Sequence, residues 1–391
     1  MLPFPIISNT NILPAPEHII QTDGSSSHIG VLYSDGSLYL RGSNTSGALG
    51  TGNNIDSYDK FVLVRTDVKL FFCGSNITFI QTFDNRWYFS GTRSLISAGG
   101  SYSSTFTDIT DRLNSEILEG SIKIKKISTS NLSTLILTTE GNLYACGNNT
   151  YGETGLGSGF QSVFKLTNTN VIDISNCRFS SYAVKSNGEL YSVGSNENGY
   201  LGINDSNVSS TNIIYTWTKC VINSEHEYVS SVRGSFNSVM IISGASINSD
   251  KKLYSCGINT SSQLGIGNST SPIISFTACI MPESSSIISL GTGGTSMSRT
   301  VHFSTGIYST GSAGSPSSGI LSNSSVFIPI SSVSLPSSAN IKFNTTCGIG
   351  VDSYGLIIYK DGSKTNLYEA GSAKWMNGTT KSTYTLNNII K

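Results

Sequence analysis

The sequence predicts an all-β chain closed into a seven-bladed β-propeller of four-stranded antiparallel blades, on three observations. A glycine-rich turn follows a short apolar strand again and again, a hairpin signal precedes that strand, and further strand-like runs flank the pair. A phosphate-cradling loop is needed once per site. A glycine demanded by fold geometry is needed once per structural unit, so the recurrence points to architecture.

The first unit is "HIGVLYSDGSLYLRG", His28 to Gly42, continued by "SNTSGALGTGN" to Asn53. Apolar and polar residues alternate on both sides of Asp35-Gly36, a strong hairpin signal. The third unit repeats this with Glu140-Gly141 and "LYACGNNTYGETGLGSG", the fourth with Asn187-Gly188 and "LYSVGSNENGYLGIND", and the fifth with "LYSCGINTSSQLGIGN". Weaker copies, "RWYFSG" with Tyr88, "GIYSTG" with Tyr308 and "NLYEAG" with Tyr368, fill the second, sixth and seventh places. The tyrosines before the glycine (Tyr39, Tyr88, Tyr144, Tyr191, Tyr254, Tyr308 and Tyr368) recur roughly 50 residues apart, a length that suits a four-stranded blade. Upstream of the hairpins lie strand-like runs such as "IKKIST" at 124–129, "VIDIS" at 171–175, "IISLG" at 287–291 and "NIKFN" at 340–344. Fourth strands are read in "KFVLV" at 60–64 and "VFIPIS" at 326–331.

Composition agrees with a folded β protein. Ser, Thr and Asn carry the polarity, 40 glycines serve the turns, and 37% apolar residues in regular runs suffice for a core. Repeats override the length prior of two or three domains, so residues 1–16 read as an N-terminal arm and 17–391 as one propeller domain. Charged residues are only 12% of the chain, 24 basic against 24 acidic. There is no electrostatic footprint for nucleic acid or for an anionic membrane. No apolar run reaches the length of a membrane span. The first twenty residues hold four prolines and no basic segment, unlike a secretory signal. Seven cysteines without CxxC pairs read as buried free thiols. The Asn-x-Ser/Thr triplets, at Asn44, Asn76, Asn131, Asn148, Asn259 and Asn377 among others, read as chance in so Asn- and Ser-rich a chain.

The pattern "LYxxGxNxxGxLGxGN" after "DGxLY" resembles the repeat of the regulator of chromosome condensation (RCC1) family, well in four of seven copies and by register in the rest. Kelch and WD repeats lack this Gly-x-Leu-Gly tail. The resemblance implies a seven-bladed propeller closed by pairing strands from the two chain ends, for which "EHIIQTDG" and "STYTLNNIIK" are the candidates. The residue before the motif's first glycine, usually Trp in the family, is here Arg41, Ser90, Cys146, Val193, Cys256, Thr310 or Ala370. Of the family's upstream histidines only His28 remains, read here as a hydrogen-bonded structural residue. These departures mark a distant member whose family-specific partners are in doubt.

Catalytic chemistry is not legible. His18, His28, His226 and His302 fall in different units, with no converging metal-ligand spacing. No nucleophile elbow, Walker A loop or complete HExxH occurs. Asp108 with Asp111, and Glu225 with Glu227, read as solvated surface charges rather than an acid–base pair. No cofactor, metal or catalytic residue is expected. Partner contacts are placed on Phe4 and Ile6 of the arm, and on Tyr215, Trp217 and Tyr228 in the long connection at 206–229. Trp217 reads equally well as core of an outer strand.

The expectation is therefore a non-enzymatic propeller acting as a protein-binding or structural module, suited by its uncharged surface to a larger particle such as a phage or other virion decoration, collar or fibre, with capsid or tail proteins as partners. One alternative is a guanine nucleotide exchange factor or adaptor for a small GTPase. As implied by the resemblance, exchange would need a protruding wedge, and no unit shows an obvious one. Another is a surface- or carbohydrate-binding adhesin.

Overall fold

The computed structural model describes residues 13–96, 101–117, 123–225, 227–291, 297–330, 340–349, 352–376 and 381–386. They form seven four-stranded antiparallel sheets, each with its strands in chain order from the inside outward. The first blade is β1 (Ile19–Gly24), β2 (His28–Tyr33), β3 (Leu38–Gly42) and β4 (Ser57–Arg65). The second is β5 (Val68–Gly74), β6 (Ile77–Thr82), β7 (Trp87–Thr92) and β8 (Tyr102–Asp108). A short helix α1 (Thr110–Glu116) leads to the third, β9 (Ile124–Thr129), β10 (Ser133–Thr138), β11 (Leu143–Gly147) and β12 (Gln161–Asn168). The fourth holds β13 (Val171–Asn176), β14 (Ser180–Lys185), β15 (Leu190–Ser195) and β16 (Ile213–Lys219). The fifth holds β17 (Tyr228–Gly234), β18 (Ser238–Gly244), β19 (Lys252–Gly257) and β20 (Ile273–Ala278). The sixth is β21 (Ile287–Leu290), β22 (Ser298–Phe303), β23 (Gly306–Gly311) and β24 (Ser324–Pro329). The seventh is β25 (Asn340–Ile349), β26 (Asp352–Asp361), β27 (Lys364–Gly371) and β28 (Lys381–Leu386).

The strands expected upstream of the hairpins and after the glycine-rich turns fall at β9, β13, β21, β25, β4 and β24. The second strands β2, β6, β10, β18 and β22 are buried along their whole length. Blades stack face to face, so "HIGVLY" is covered on both sides rather than on alternate residues. The core is accordingly divided into seven apolar clusters, one in each seam between neighbouring blades. Helix α1, which the strand pattern did not anticipate, buries Leu113 in the seam between blades two and three.

What repeats in the glycine motif is a contact between blades. A Cβ built on Gly50, Gly155, Gly202 or Gly265 would come within 2.3 to 2.5 Å of Phe106, Trp217, Phe276 or Phe327 respectively, an aromatic on the outer strand of the next blade. At Gly155 the backbone is also left-handed, φ +67°, a region that only glycine enters freely. The asparagine six residues ahead of that glycine closes the turn. Asn44 accepts the Leu49 N–H at 2.9 Å and donates to Asn53 O at 2.9 Å. Asn259 accepts from Leu264 N–H at 3.0 Å and donates to Asn268 O at 2.8 Å, and both are fully buried. Two of the Asn-x-Ser/Thr triplets, those at Asn44 and Asn259, therefore start on structural residues rather than on chance.

Ring closure differs from the expectation. "EHIIQTDG" supplies β1, the innermost strand of blade one, and "STYTLNNIIK" supplies β28, the outermost of blade seven; each pairs only within its own blade among the described residues. The reason is that each terminal unit already contains four strands, so neither blade lacks one. Side chains close the seam instead. Thr22 and Thr345 hydroxyls meet at 2.6 Å, and Arg41 pairs with Glu369 at 3.1 Å, beside a cluster that includes Ile29, Tyr354 and Trp375.

Candidate binding site at the channel mouth

Five of the seven innermost strands, β1, β5, β9, β13 and β17, and the turns that follow them surround a cup of about 320 Å³ at the mouth of the central channel. These turns lie on the same face as the glycine-rich turns, because the two are tied in every blade. Ser43 N–H donates to Ser27 O at 2.9 Å and Asn148 N–H to Leu132 O at 2.9 Å, with equivalents around the ring. Serine, threonine and asparagine dominate the wall, among them Ser26, Ser75, Ser130 and Asn131.

Charge is concentrated here in an otherwise sparsely charged chain. Asp173 on β13 takes Lys126 of β9 at 2.8 Å and Arg233 of β17 at 2.8 Å, and accepts the Val232 N–H at 3.0 Å. Burial alone would raise the Asp173 carboxyl, but Lys126 and Arg233 outweigh it and hold it well below the usual range. Burial, with the neighbouring Arg233, pulls Lys126 down to about 8. Asp23, on β1, accepts the Cys73 N–H at 2.8 Å, and burial raises its carboxyl to about 6. Lys126, Arg178 and Arg233 line the cup against Asp23, while Asp173 is shared by two of the cations, which leaves the wall positive.

Arg178 sits in the turn after β13. Its guanidinium carbon is 4.6 Å from the Phe179 ring centre and 4.9 Å from that of Phe236, and Tyr151 stacks on Phe179 at 4.1 Å. No carboxylate among the described residues pairs with it. Such charged positions inside inner strands were the overlooked signal, since a chain this poor in charge spends it sparingly.

The residues assigned to partners by sequence do not converge. Phe4 and Ile6 lie outside the described residues. Tyr215 and Trp217 belong to β16, a regular outer strand, so part of the long connection is blade rather than insertion. Trp217 is half-buried, packs on Gly155, and donates Nε1–H to Thr167 Oγ1 at 2.9 Å. Tyr228 begins β17, lies over Gly188 and donates its hydroxyl to Ser186 O at 3.2 Å. His28 is fully buried with Nε2 2.7 Å from Thr78 Oγ1, and burial lowers it to about 3, a structural histidine as expected. His226 lies outside the described residues. All seven cysteines are free thiols, five of them buried. Asp108 pairs with Arg86, while Asp111, Glu225 and Glu227 are exposed. Among the described residues no three His, Cys, Asp or Glu side chains are grouped to hold a metal, and no helix is long and apolar enough to cross a membrane.

Comparison with known proteins agrees with this architecture. The regulator of chromosome condensation (RCC1) repeat matches residues 124–153, from β9 into the glycine-rich turn. An RCC1 repeat-containing protein of Dictyostelium discoideum is 31% identical over 134 residues, which cover 32% of this chain and 27% of that protein, so the match spans about a quarter of the relative's length. The Saccharomyces cerevisiae protein Prp20p, described by its binding to Gsp1p and histones, superposes with a TM-score of 0.69 at 17% identity over 85% of this chain and 81% of its own. Human WBSCR16 superposes with a TM-score of 0.68 at 15% identity over 90% of this chain and 94% of its own. Likeness at these identities speaks to the fold alone.

Proposed function

We propose that this chain, a distant member of the RCC1-like repeat family, is a rigid, non-enzymatic propeller that holds protein partners. The observation that carries the reading is the outer edge of blade three. There β12 ends its sheet, and Phe160, Val163 and Leu166 stand 60%, 37% and 48% exposed along and beside it. An apolar run on an unpaired strand edge is a surface that folded proteins normally cover. The low charge of the whole chain favours placement in a larger particle, such as a virion decoration, collar or fibre with capsid or tail proteins as neighbours. Phe4, Ile6, Tyr215, Trp217 and Tyr228 are further contact candidates, proposed on the sequence alone.

Sedimentation of native lysate, followed by mass spectrometry of the heavy fractions, tests this reading. Recovery in fixed stoichiometry with a particle, lost in the double variant Phe160→Ser with Leu166→Ser, is the expected outcome. A soluble monomer in the wild type would sink it.

A second reading, nucleotide exchange on a small GTPase, draws on the likeness to Prp20p and on one hairpin. The turn between β18 and β19, Ala245 to Lys251, is the longest of its kind among the described blades and exposes Ile247. Faster release of a labelled guanine nucleotide from a small GTPase, abolished by shortening that hairpin, would favour exchange over scaffolding.

A further inference from the structure

We propose that the cup at the channel mouth binds a small hydroxylated carboxylate, a sugar acid or hydroxy acid of about monosaccharide size. This goes beyond partner binding and does not depend on it. Aromatic rings at 4.6 and 4.9 Å flank the Arg178 guanidinium, so its N–H edge is what remains for a ligand. Its Nε is covered from solvent and has no partner among the described residues. A guanidinium edge fits a carboxylate with two parallel hydrogen bonds, and the flanking rings fix its orientation in advance.

The second half of the ligand follows from Asn176, two residues earlier on the same wall. Asn176 is 8% exposed, donates Nδ2–H to Ser181 Oγ at 2.8 Å, and leaves Oδ1 without a donor among the described residues. A carboxylate cannot satisfy an acceptor, whereas a hydroxyl can. Unpaired buried polar groups are rare in folded proteins, and these two belong to residues that line one cavity; both atoms are covered from solvent, so a ligand meets them once either side chain turns toward the cup. Serine and threonine hydroxyls around them suit further ligand hydroxyls, and the excess of three cations, Lys126, Arg178 and Arg233, over the two carboxylates Asp23 and Asp173 suits the charge. At about 320 Å³ the cup lies at the small end of ligand sites, the size of one sugar ring rather than of a larger cofactor.

Isothermal titration calorimetry of the full chain with glucuronate and with citrate tests the proposal, with acetate and glucose as probes that each carry half the chemistry. At least one hydroxylated acid is expected to bind about tenfold or more tighter than either half-probe. Arg178→Met, which keeps an unbranched stem between the two phenylalanines, should weaken that acid about tenfold or more. Asn176→Ala should narrow its advantage over acetate. If Arg178→Met does not fold, Arg178→Lys keeps the charge without the fork and should still lose affinity several-fold. No heat from either acid up to about 10 mM, no preference over acetate, or unchanged binding in a folded Arg178 variant overturns the proposal.

Discussion

Arg41 of the first blade and Glu369 of the seventh meet at 3.1 Å, both nearly buried, and this ion pair joins the two ends of the ring. The pair is embedded rather than isolated. The guanidinium lies 4.6 Å from the Tyr354 ring centre, donates to Tyr58 O at 2.6 Å and to Trp375 O, while Glu369 also accepts the Tyr354 hydroxyl at 2.6 Å. Arg41 occupies the position where the RCC1 repeat that the sequence resembles usually has Trp, and every residue at that position in the seven units is buried.

Removing the cation should therefore loosen the closure. Arg41→Met is expected to cost about 3 to 5 kcal/mol by leaving a buried carboxylate uncompensated, and adding Glu369→Gln should recover part of that loss. Urea denaturation of the single and double variants measures both. Additive effects would show that the two side chains do not act as a pair.

Glycines in one turn should differ sharply in tolerance. A Cβ at Gly155 meets the Trp217 indole at 2.3 Å, whereas at Gly157, φ +80°, nothing lies within 4 Å. Gly157→Ala carries only the left-handed backbone penalty, about 1 to 2 kcal/mol. Gly155→Ala adds overpacking of about 1 to 3 kcal/mol. Equal melting temperatures for the two variants would refute the inter-blade contact as the reason for the repeat.

Glu153 gives the protein a pH signature. It is fully buried, Oε2 accepts the Tyr151 N–H at 3.2 Å, Oε1 has no partner among the described residues, and burial raises its carboxyl to about 7. The folded state thus keeps a proton that the unfolded chain releases near 4.5. Stability from this group falls as pH rises from there through about 7, by roughly 2 to 3 kcal/mol. Gln263 holds the equivalent place in blade five, accepting the Ser261 N–H at 2.9 Å, so Glu153→Gln should fit, flatten the dependence, and stabilise at pH 8. An unchanged slope between pH 5 and pH 8 in chemical denaturation would rule this out.

Asp173 has the opposite sign. Its folded carboxyl is depressed, so its contribution is present above the unfolded value near 3.9 and is lost as pH falls through the acid range. Asp173→Asn leaves Lys126 and Arg233 side by side without the carboxylate they share and should cost about 3 to 5 kcal/mol at pH 7. High salt should restore little of it, because the group is largely buried. Recovery in 1 M salt to near wild-type stability would contradict this assignment.

The blades were legible because their signals are local: Asp35-Gly36 and Asn187-Gly188 fix hairpins from adjacent residues. Relations between blades were not. That Gly155 receives Trp217, or Gly50 Phe106, depends on contacts that a repeat announces without naming the partner. The closure was misjudged for the same reason, since four strands per unit could be counted but their register around the ring could not. The cup was missed because Lys126, Asp173, Arg178 and Arg233 come from three units and make sense only side by side.

That each blade is continuous in sequence has a mechanical consequence. In a ring whose last blade borrows a strand from the other terminus, pulling on the chain ends must shear a ladder of backbone hydrogen bonds before anything yields. Here the ends belong to separate sheets, and tension between Ile19 and Leu386 falls first on interlocked side chains such as Arg41 and Glu369. The molecule behaves like a split washer, whose weakest point under load is the cut and whose seven leaves outlast its opening.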